Sequence, residues 1–156
     1  MAPQLTDREL QAFRFAGYPY PVETPEEPVT LDELARVVVR VMENPSARAV
    51  EASEMALVMM AKLDVLEMLE CEDDEARRRL GYVAQRLSTM EEVSTTAKER
   101  LRELADRLGD CSAGGPALFL TSVVSRGRAE RLQWSADEVN SRWGVYGKVV
   151  WRVSDL

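Results

Sequence analysis

The stretch AVEASEMALVMMAKLDVLEML, residues 49–69, decides the fold of this chain. Its middle, residues 55–61, is an unbroken apolar run, and the alanine, leucine and methionine that dominate it are strong helix formers. A helix that is apolar on every side is stable in water only when other elements cover it. The stretch therefore predicts a central helix over about residues 45–71, with further helices packed around it.

Capping signals predict where helices begin. Thr6 and Thr30 are each followed three residues later by a glutamate. This is the capping box, in which each of the two side chains binds the backbone amide of the other residue. The boxes predict a short N-terminal helix over about residues 6–16 and a second helix after Thr30. Asn44 followed by Pro45 is typical of a helix start, so we expect Asn44 to cap the central helix.

Residues 80–108 carry apolar side chains at alternating spacings of three and four, which is a heptad pattern. Either one coiled-coil helix or a hairpin of two helices would produce it. We favour the hairpin, with helices over about 74–91 and 95–109, for two reasons. Residues 93–96 are poor helix formers, and Thr96 begins another capping box.

The composition changes after residue 109. Residues 117–124 are rich in β-branched and aromatic side chains, and residues 149–153 alternate in polarity, both of which are typical of strands. We therefore expect a mostly α fold: a four- to five-helix bundle around the central helix, with a small C-terminal α+β subdomain of one or two strands. The expected parts are an N-terminal helix and proline-rich arm (1–29), the helical bundle (30–109), a linker (110–116) and an Arg- and Trp-containing C-terminal subdomain (117–156).

The composition also bounds the chemistry and the compartment. The chain has no histidine, the commonest general base and metal ligand, so Ser-His-Asp, Cys-His and His-metal mechanisms are excluded. Its longest apolar run is far short of the ~20 residues that cross a bilayer, and its N-terminus lacks the apolar core of a secretory signal. Cys71 and Cys111 do not make a disulfide framework. We expect a cytoplasmic protein that does not bind membranes.

The charge is uneven along the chain. Residues 1–72 hold 14 acidic against 6 basic side chains, and residues 113–156 hold 4 against 6. An acidic body disfavours non-specific binding to nucleic acid, so only the C-terminal segment is a candidate for it. There, basic side chains alternate with tryptophans, a pattern that suits single strands or a partner groove, although three tryptophans equally suit a small core. The candidate contact residues are Arg126, Arg128, Arg131, Trp134, Arg142 and Lys148.

Residues 17–28, GYPYPVETPEEP, contain four prolines. Proline fixes the backbone and removes an amide donor, so this stretch predicts an extended arm. Two roles remain open for Tyr18 and Tyr20. They are either anchors that hold the arm on its own bundle or a ligand for the groove of a partner protein.

A triple arginine, Arg77-Arg78-Arg79, is a candidate phosphate site. Acidic residues lie three and four positions earlier, Asp74 and Glu75 among them, and this spacing forms ion pairs within a helix. We therefore expect these arginines to stabilise structure. Asp73 or Asp74 is expected to cap the helix that carries them.

One acidic pattern points to a metal. Glu51-x-x-Glu54 followed by Glu70-x-x-Asp73 is similar to the ExxE…ExxD pattern of all-α nucleotide pyrophosphohydrolases, whose acids hold Mg²⁺ from two facing helices. On one continuous helix Glu51 and Glu70 would lie about 28 Å apart, far beyond the ~2.1 Å at which Mg²⁺ binds its ligands. Only a break between residues 62 and 65 would bring them closer, and no glycine or proline predicts one. We predict no catalytic, cofactor-binding or metal residue.

The leading functional hypothesis is a non-enzymatic interaction or regulatory protein that acts through its helical surfaces. We expect it to self-associate as a homodimer, because a second chain would cover any face of the central helix that the bundle leaves open. The alternative is a nucleic-acid-associated regulator that uses the Arg/Trp segment. A Mg²⁺-dependent all-α nucleotide phosphohydrolase ranks third. The absence of isoleucine and the dominance of arginine among the basic residues indicate a GC-rich bacterial or phage genome.

Overall fold

The computed structural model describes residues 5–20, 28–109, 117–118, 143 and 145–146. Five α-helices pack together, as the sequence predicts. They are α1 (Asp7–Phe15), α2 (Leu31–Val41), α3 (Ala47–Lys62), α4 (Asp74–Leu87) and α5 (Thr95–Leu108), with a short 3₁₀ helix (Leu66–Met68) between α3 and α4. Two two-residue strands, β1 (Ala117–Leu118) and β2 (Val145–Tyr146), pair in parallel. Across the described residues, no helix has the length and apolar character needed to cross a membrane.

Helix α3 is the axis of the bundle, because it contacts α1, α2, α4 and α5. Five of the residues in the apolar run 55–61 are buried, and Met55 and Met59 are half-buried. The neighbouring helices of the same chain therefore provide the cover that the apolar run requires. The fold does not need a second chain for this purpose.

The predicted extent of the central helix is wrong, because α3 ends at Lys62 and not near residue 71. Asp64 has a left-handed backbone with a φ of 58°. Its amide donates to Ala61 O at 3.2 Å, and the Val65 amide donates to Met60 O at 3.0 Å. These two bonds form the Schellman motif that ends helices, with aspartate at the position where glycine is usual. Aspartate tolerates this conformation better than most residues, which explains why no glycine marks the break.

A second helix holds this break in place. The Arg100 side chain, from α5, donates to Ala61 O at 2.9 Å and to Lys62 O at 3.3 Å, two of the last carbonyls of α3, which lack the usual i→i+4 partner at the helix end. Arg100 also forms an ion pair with Asp64 at 3.4 Å. Tertiary contacts therefore stabilise an end that the local sequence signals only weakly.

Two predicted helix caps are displaced by two residues. Ser46, not Asn44, caps α3 by accepting a hydrogen bond from the Ala49 amide at 3.2 Å. Ser94, not Thr96, caps α5 in the same way. Thr6 forms its full capping box, and Asp73 caps α4 by accepting from the Ala76 amide, as predicted. The box at Thr30 forms in part: its side chain accepts from the Glu33 amide, while the Glu33 carboxylate pairs with Arg8. In each case a short side chain with an oxygen acceptor satisfies a first-turn amide.

The heptad region folds as a hairpin of two helices, α4 and α5, and not as one coiled-coil helix. Helix α4 ends at Leu87, four residues before the predicted end. Its face of Leu80, Val83 and Leu87 is buried, and so is the matching face of α5. The heptad spacing therefore continues from α4 into α5 because both helices contribute apolar faces to the same core.

The expected C-terminal subdomain lies largely outside the described residues. This applies to most of the stretches 117–124 and 149–153 that the sequence predicts as strands, and to the linker 110–116. The strand pair β1–β2 and Trp143 are the described parts of that segment.

The left-handed conformation of Asp64 gives a stability prediction. Asp64→Val should destabilise the protein by about 1–3 kcal/mol relative to Asp64→Gly, because a β-branched residue is strained at positive φ and glycine is not. Both variants lose the ion pair with Arg100, so their difference isolates the backbone effect. Urea unfolding measures it. Equal stability of the two variants would show that α3 does not end in this motif.

Candidate functional site

The described part of the proline-rich arm lies on the chain's own bundle. Gly17, with a φ of 104°, ends α1, and a Cβ atom there would lie 3.4 Å from Met55 Cε of α3. Tyr20 is buried, with its ring centroid 6.2 Å from that of Phe13 and 4.6 Å from that of Tyr18. The two tyrosines that the sequence nominates as a partner ligand thus contact each other with tilted rings, and Tyr20 contributes to this chain's core.

The first turns of α3 surround these tyrosines with charge. The Tyr18 hydroxyl donates to Glu51 Oε2 at 2.8 Å, and the Arg48 guanidinium lies 4.9 Å from the centroid of the Tyr20 ring, a cation–π contact. Burial, followed by the hydrogen bond to Glu51, raises the pKa of Tyr18. Burial, followed by the adjacent Tyr18 hydroxyl, raises the pKa of Tyr20 to about 12. Both phenols therefore stay protonated at neutral pH.

Glu54, three residues after Glu51 on α3, is a buried carboxyl that sequence reasoning missed. Its side chain is only 3% exposed, and its Oε1 atom has no hydrogen-bond partner in the described structure. Burial raises its pKa to about 9, and the Glu51 carboxylate adds to the shift. Glu54 is therefore a neutral acid at pH 7. Its position three and four residues before the buried Leu57 and Val58 is the sequence signal that could have found it.

The acidic pattern does not assemble into a metal site. The break that would be needed to bring Glu51 and Glu70 together does occur, since α3 ends at Lys62. Even so, no three Asp, Glu or Cys side chains of the described residues group closely enough to hold a metal ion. Asp73 instead caps α4, and Glu54 is buried while Glu51 and Glu70 are exposed.

The triple arginine stabilises α4, as its spacing predicts. Asp74 pairs with Arg77 at 2.8 Å and with Arg78 at 2.9 Å, and Glu75 pairs with Arg79 at 3.3 Å. Arg78 and Arg79 are buried. Buried, ion-paired guanidinium groups do not offer an open site for phosphate.

All six candidate nucleic-acid or partner contacts of the C-terminal segment lie outside the described residues: Arg126, Arg128, Arg131, Trp134, Arg142 and Lys148. The nearby Trp143 is described. It is fully buried against α4, and its Nε1 atom donates to Gln85 Oε1 at 2.8 Å. Trp143, one of the three tryptophans, is therefore a core residue.

The connection between α3 and α4 exposes the other surface of interest. Leu63 is 53% exposed and Met68 is 40% exposed, whereas the intervening Leu66 is buried. We call residues 62–72 the acidic elbow, because the same stretch of chain carries four exposed acids: Asp64, Glu67, Glu70 and Glu72. Sequence reasoning missed this surface because it placed residues 63–68 inside a continuous helix.

The backbone of the elbow is fixed from within. Arg107 of α5 donates to Leu69 O at 3.2 Å and to Leu66 O at 2.9 Å. Leu66 and Leu69 are buried beneath these carbonyls. The exposed side chains of the elbow are therefore carried by an ordered turn.

Comparison with known proteins found no protein-family model, no curated protein and no solved structure that matches this chain.

The buried Glu54 makes stability depend on pH. The carboxyl ionises near pH 4.5 in the unfolded chain and near 9 in the folded chain, so the folded state binds more protons in this window and loses stability as the pH rises through it. Glu54→Met should therefore be more stable than the wild type by roughly 1–3 kcal/mol at neutral pH, and the gain should shrink towards pH 4.5.

Urea unfolding at about pH 5 and at about pH 8 checks this dependence. Glu103→Met is the matched control, because Glu103 is also a helical glutamate but is exposed on α5. A gain for Glu54→Met that is the same at both pH values would contradict the buried neutral acid.

Proposed function

We propose that this chain is a non-enzymatic, cytoplasmic interaction protein that binds through the acidic elbow. The observation that carries the proposal is the exposure of Leu63 and Met68 on a turn in which Leu66 and Leu69 are buried. Exposed apolar side chains rimmed by polar ones are typical of protein-binding surfaces. Their burial by a partner would provide the hydrophobic part of the binding free energy.

The elbow is organised before it binds. The Schellman motif at Asp64 fixes its first turn, and the Arg100 and Arg107 side chains hold its backbone carbonyls. A surface that is already ordered loses less conformational entropy on association. This favours an elbow that presents Leu63 and Met68 as fixed anchors.

The charge of the elbow indicates its partner. No ion pair to Glu67, Glu70 or Glu72 is found within the part of the chain that the structure describes. Their carboxylates favour a basic partner that carries apolar side chains. The C-terminal segment of a second copy has these properties: residues 113–156 hold 6 basic against 4 acidic side chains and, besides the buried Trp143, the tryptophans Trp134 and Trp151. We therefore propose a homodimer in which the elbow faces the basic segment of the other copy.

The two other hypotheses gain no specific support. The nucleic-acid alternative depends on residues outside the described part of the chain, and it stays a prediction. A Mg²⁺-dependent phosphohydrolase would need a carboxylate cluster, which the described residues do not form. Of the three hypotheses, the interaction role is the one that rests on a surface in the described part of the chain.

The test is the oligomeric state measured by sedimentation velocity. The wild type should form a dimer that added salt weakens, because part of the attraction is between opposite charges. The double variant Leu63→Ser/Met68→Ser should be monomeric, with a dissociation constant raised at least about tenfold.

Phe15→Ser is the matched control. Phe15 is exposed to a similar extent, 48%, but lies on α1, outside the elbow. It should leave the dimer intact. A wild type that stays monomeric at every concentration, or a double variant that dimerises like the wild type, would refute the proposal.

A further inference from the structure

Gly81 occupies the middle of α4, where glycine is unfavourable. Glycine in a helix interior is about 1 kcal/mol less favourable than alanine. Its backbone is helical, so no unusual conformation calls for it. A Cβ atom at this position would lie 2.3 Å from two ring atoms of Trp143, Cη2 and Cζ3. Glycine therefore serves to make room for the indole ring.

The same face of α4 recognises the polar edge of this ring. Gln85 follows Gly81 by one helical turn, and its Oε1 atom accepts the Trp143 Nε1–H at 2.8 Å. Trp143 is completely buried and is the largest of the fully buried side chains among the described residues. Gly81 leaves a flat surface for the ring, and Gln85 provides a hydrogen-bond acceptor one turn away. Together they select an indole, since phenylalanine lacks the donor. We call Gly81 and Gln85 with their helical face the indole slot.

The slot is filled by a segment that is distant in sequence. Trp143 lies 58 residues after Gln85, and β2, which follows it, also contacts α4. Closing so long a loop has an entropic cost that the docked ring must offset. The contact is therefore an interaction between two separate parts of the chain, with the character of a binding site and its ligand.

We propose that the indole slot on α4 is a recognition site for a tryptophan-bearing segment, and that its occupant is the stretch around Trp143 of this same chain. The site holds the C-terminal segment against the bundle. It is independent of the acidic elbow, because it lies on α4 and uses none of the elbow's residues. When its own tryptophan is removed, the slot accepts the same segment supplied as a separate molecule.

The test uses the full-length chain with Trp143→Ala and a fluorescein-labelled peptide of residues 138–148, EVNSRWGVYGK. Fluorescence anisotropy should show saturable binding to this variant and binding to the wild type that is at least about tenfold weaker, because the wild-type slot is already filled. A second variant, Gly81→Ala/Trp143→Ala, should not bind, since the added Cβ atom occupies the position of the ring. The control peptide carries alanine in place of tryptophan and should not bind.

Two outcomes would overturn the proposal: no binding of the peptide to the Trp143→Ala variant, or equal binding to the variant that also carries Gly81→Ala. The single variant Gly81→Ala provides a measurement that retains Trp143. It should shift the tryptophan emission to the red while the helical circular dichroism is maintained, because alanine favours the helix and displaces the ring. Unchanged emission would also contradict the proposal.

Discussion

The bundle depends on arginine side chains that bind the C-terminal carbonyls of helices other than their own. The last carbonyls of a helix have no intrahelical partner, and a guanidinium group carries five donors, of which the two on one terminal nitrogen can bind two neighbouring carbonyls. The structure repeats this contact at four helix ends. Arg79 binds Met42 O and Glu43 O after α2, Arg100 binds Ala61 O and Lys62 O at the end of α3, Arg102 binds Ser88 O after α4, and Arg77 binds Leu108 O at the end of α5.

These contacts connect the fold to its proposed function. Because Arg100 and Arg107 hold the carbonyls around residues 61–69, α3 can stop early and the chain can turn without leaving buried polar atoms unpaired. The turn exposes Leu63 and Met68, which a longer helix would have placed elsewhere. The surface proposed to bind a second copy is thus a consequence of how one helix end is capped from another helix.

Local features of the fold were predictable from the sequence, and features that depend on tertiary contacts were not. Capping residues and apolar spacing indicated four to five helices and favoured the hairpin, because both signals act within one or two turns. The break at Asp64 was missed, since its cause is partly the distant Arg100. The burial of Glu54 was missed because the sequence alone does not show whether other helices cover a given glutamate or leave it exposed to solvent. Nothing in the sequence pairs Gly81 with Trp143, because the two lie far apart along the chain.

The most direct test of this account is the free energy of unfolding of Arg79→Lys compared with Arg36→Lys. Lysine keeps the charge, but its single nitrogen cannot replace both Nη1, which binds the two carbonyls, and Nη2, which binds Glu75. The account predicts a loss of roughly 2–4 kcal/mol for Arg79→Lys, and a change within about 0.5 kcal/mol for Arg36→Lys, whose exposed side chain pairs only with Asp32 in the described structure. Equal effects of the two substitutions would show that the bundle does not depend on arginine at its helix ends.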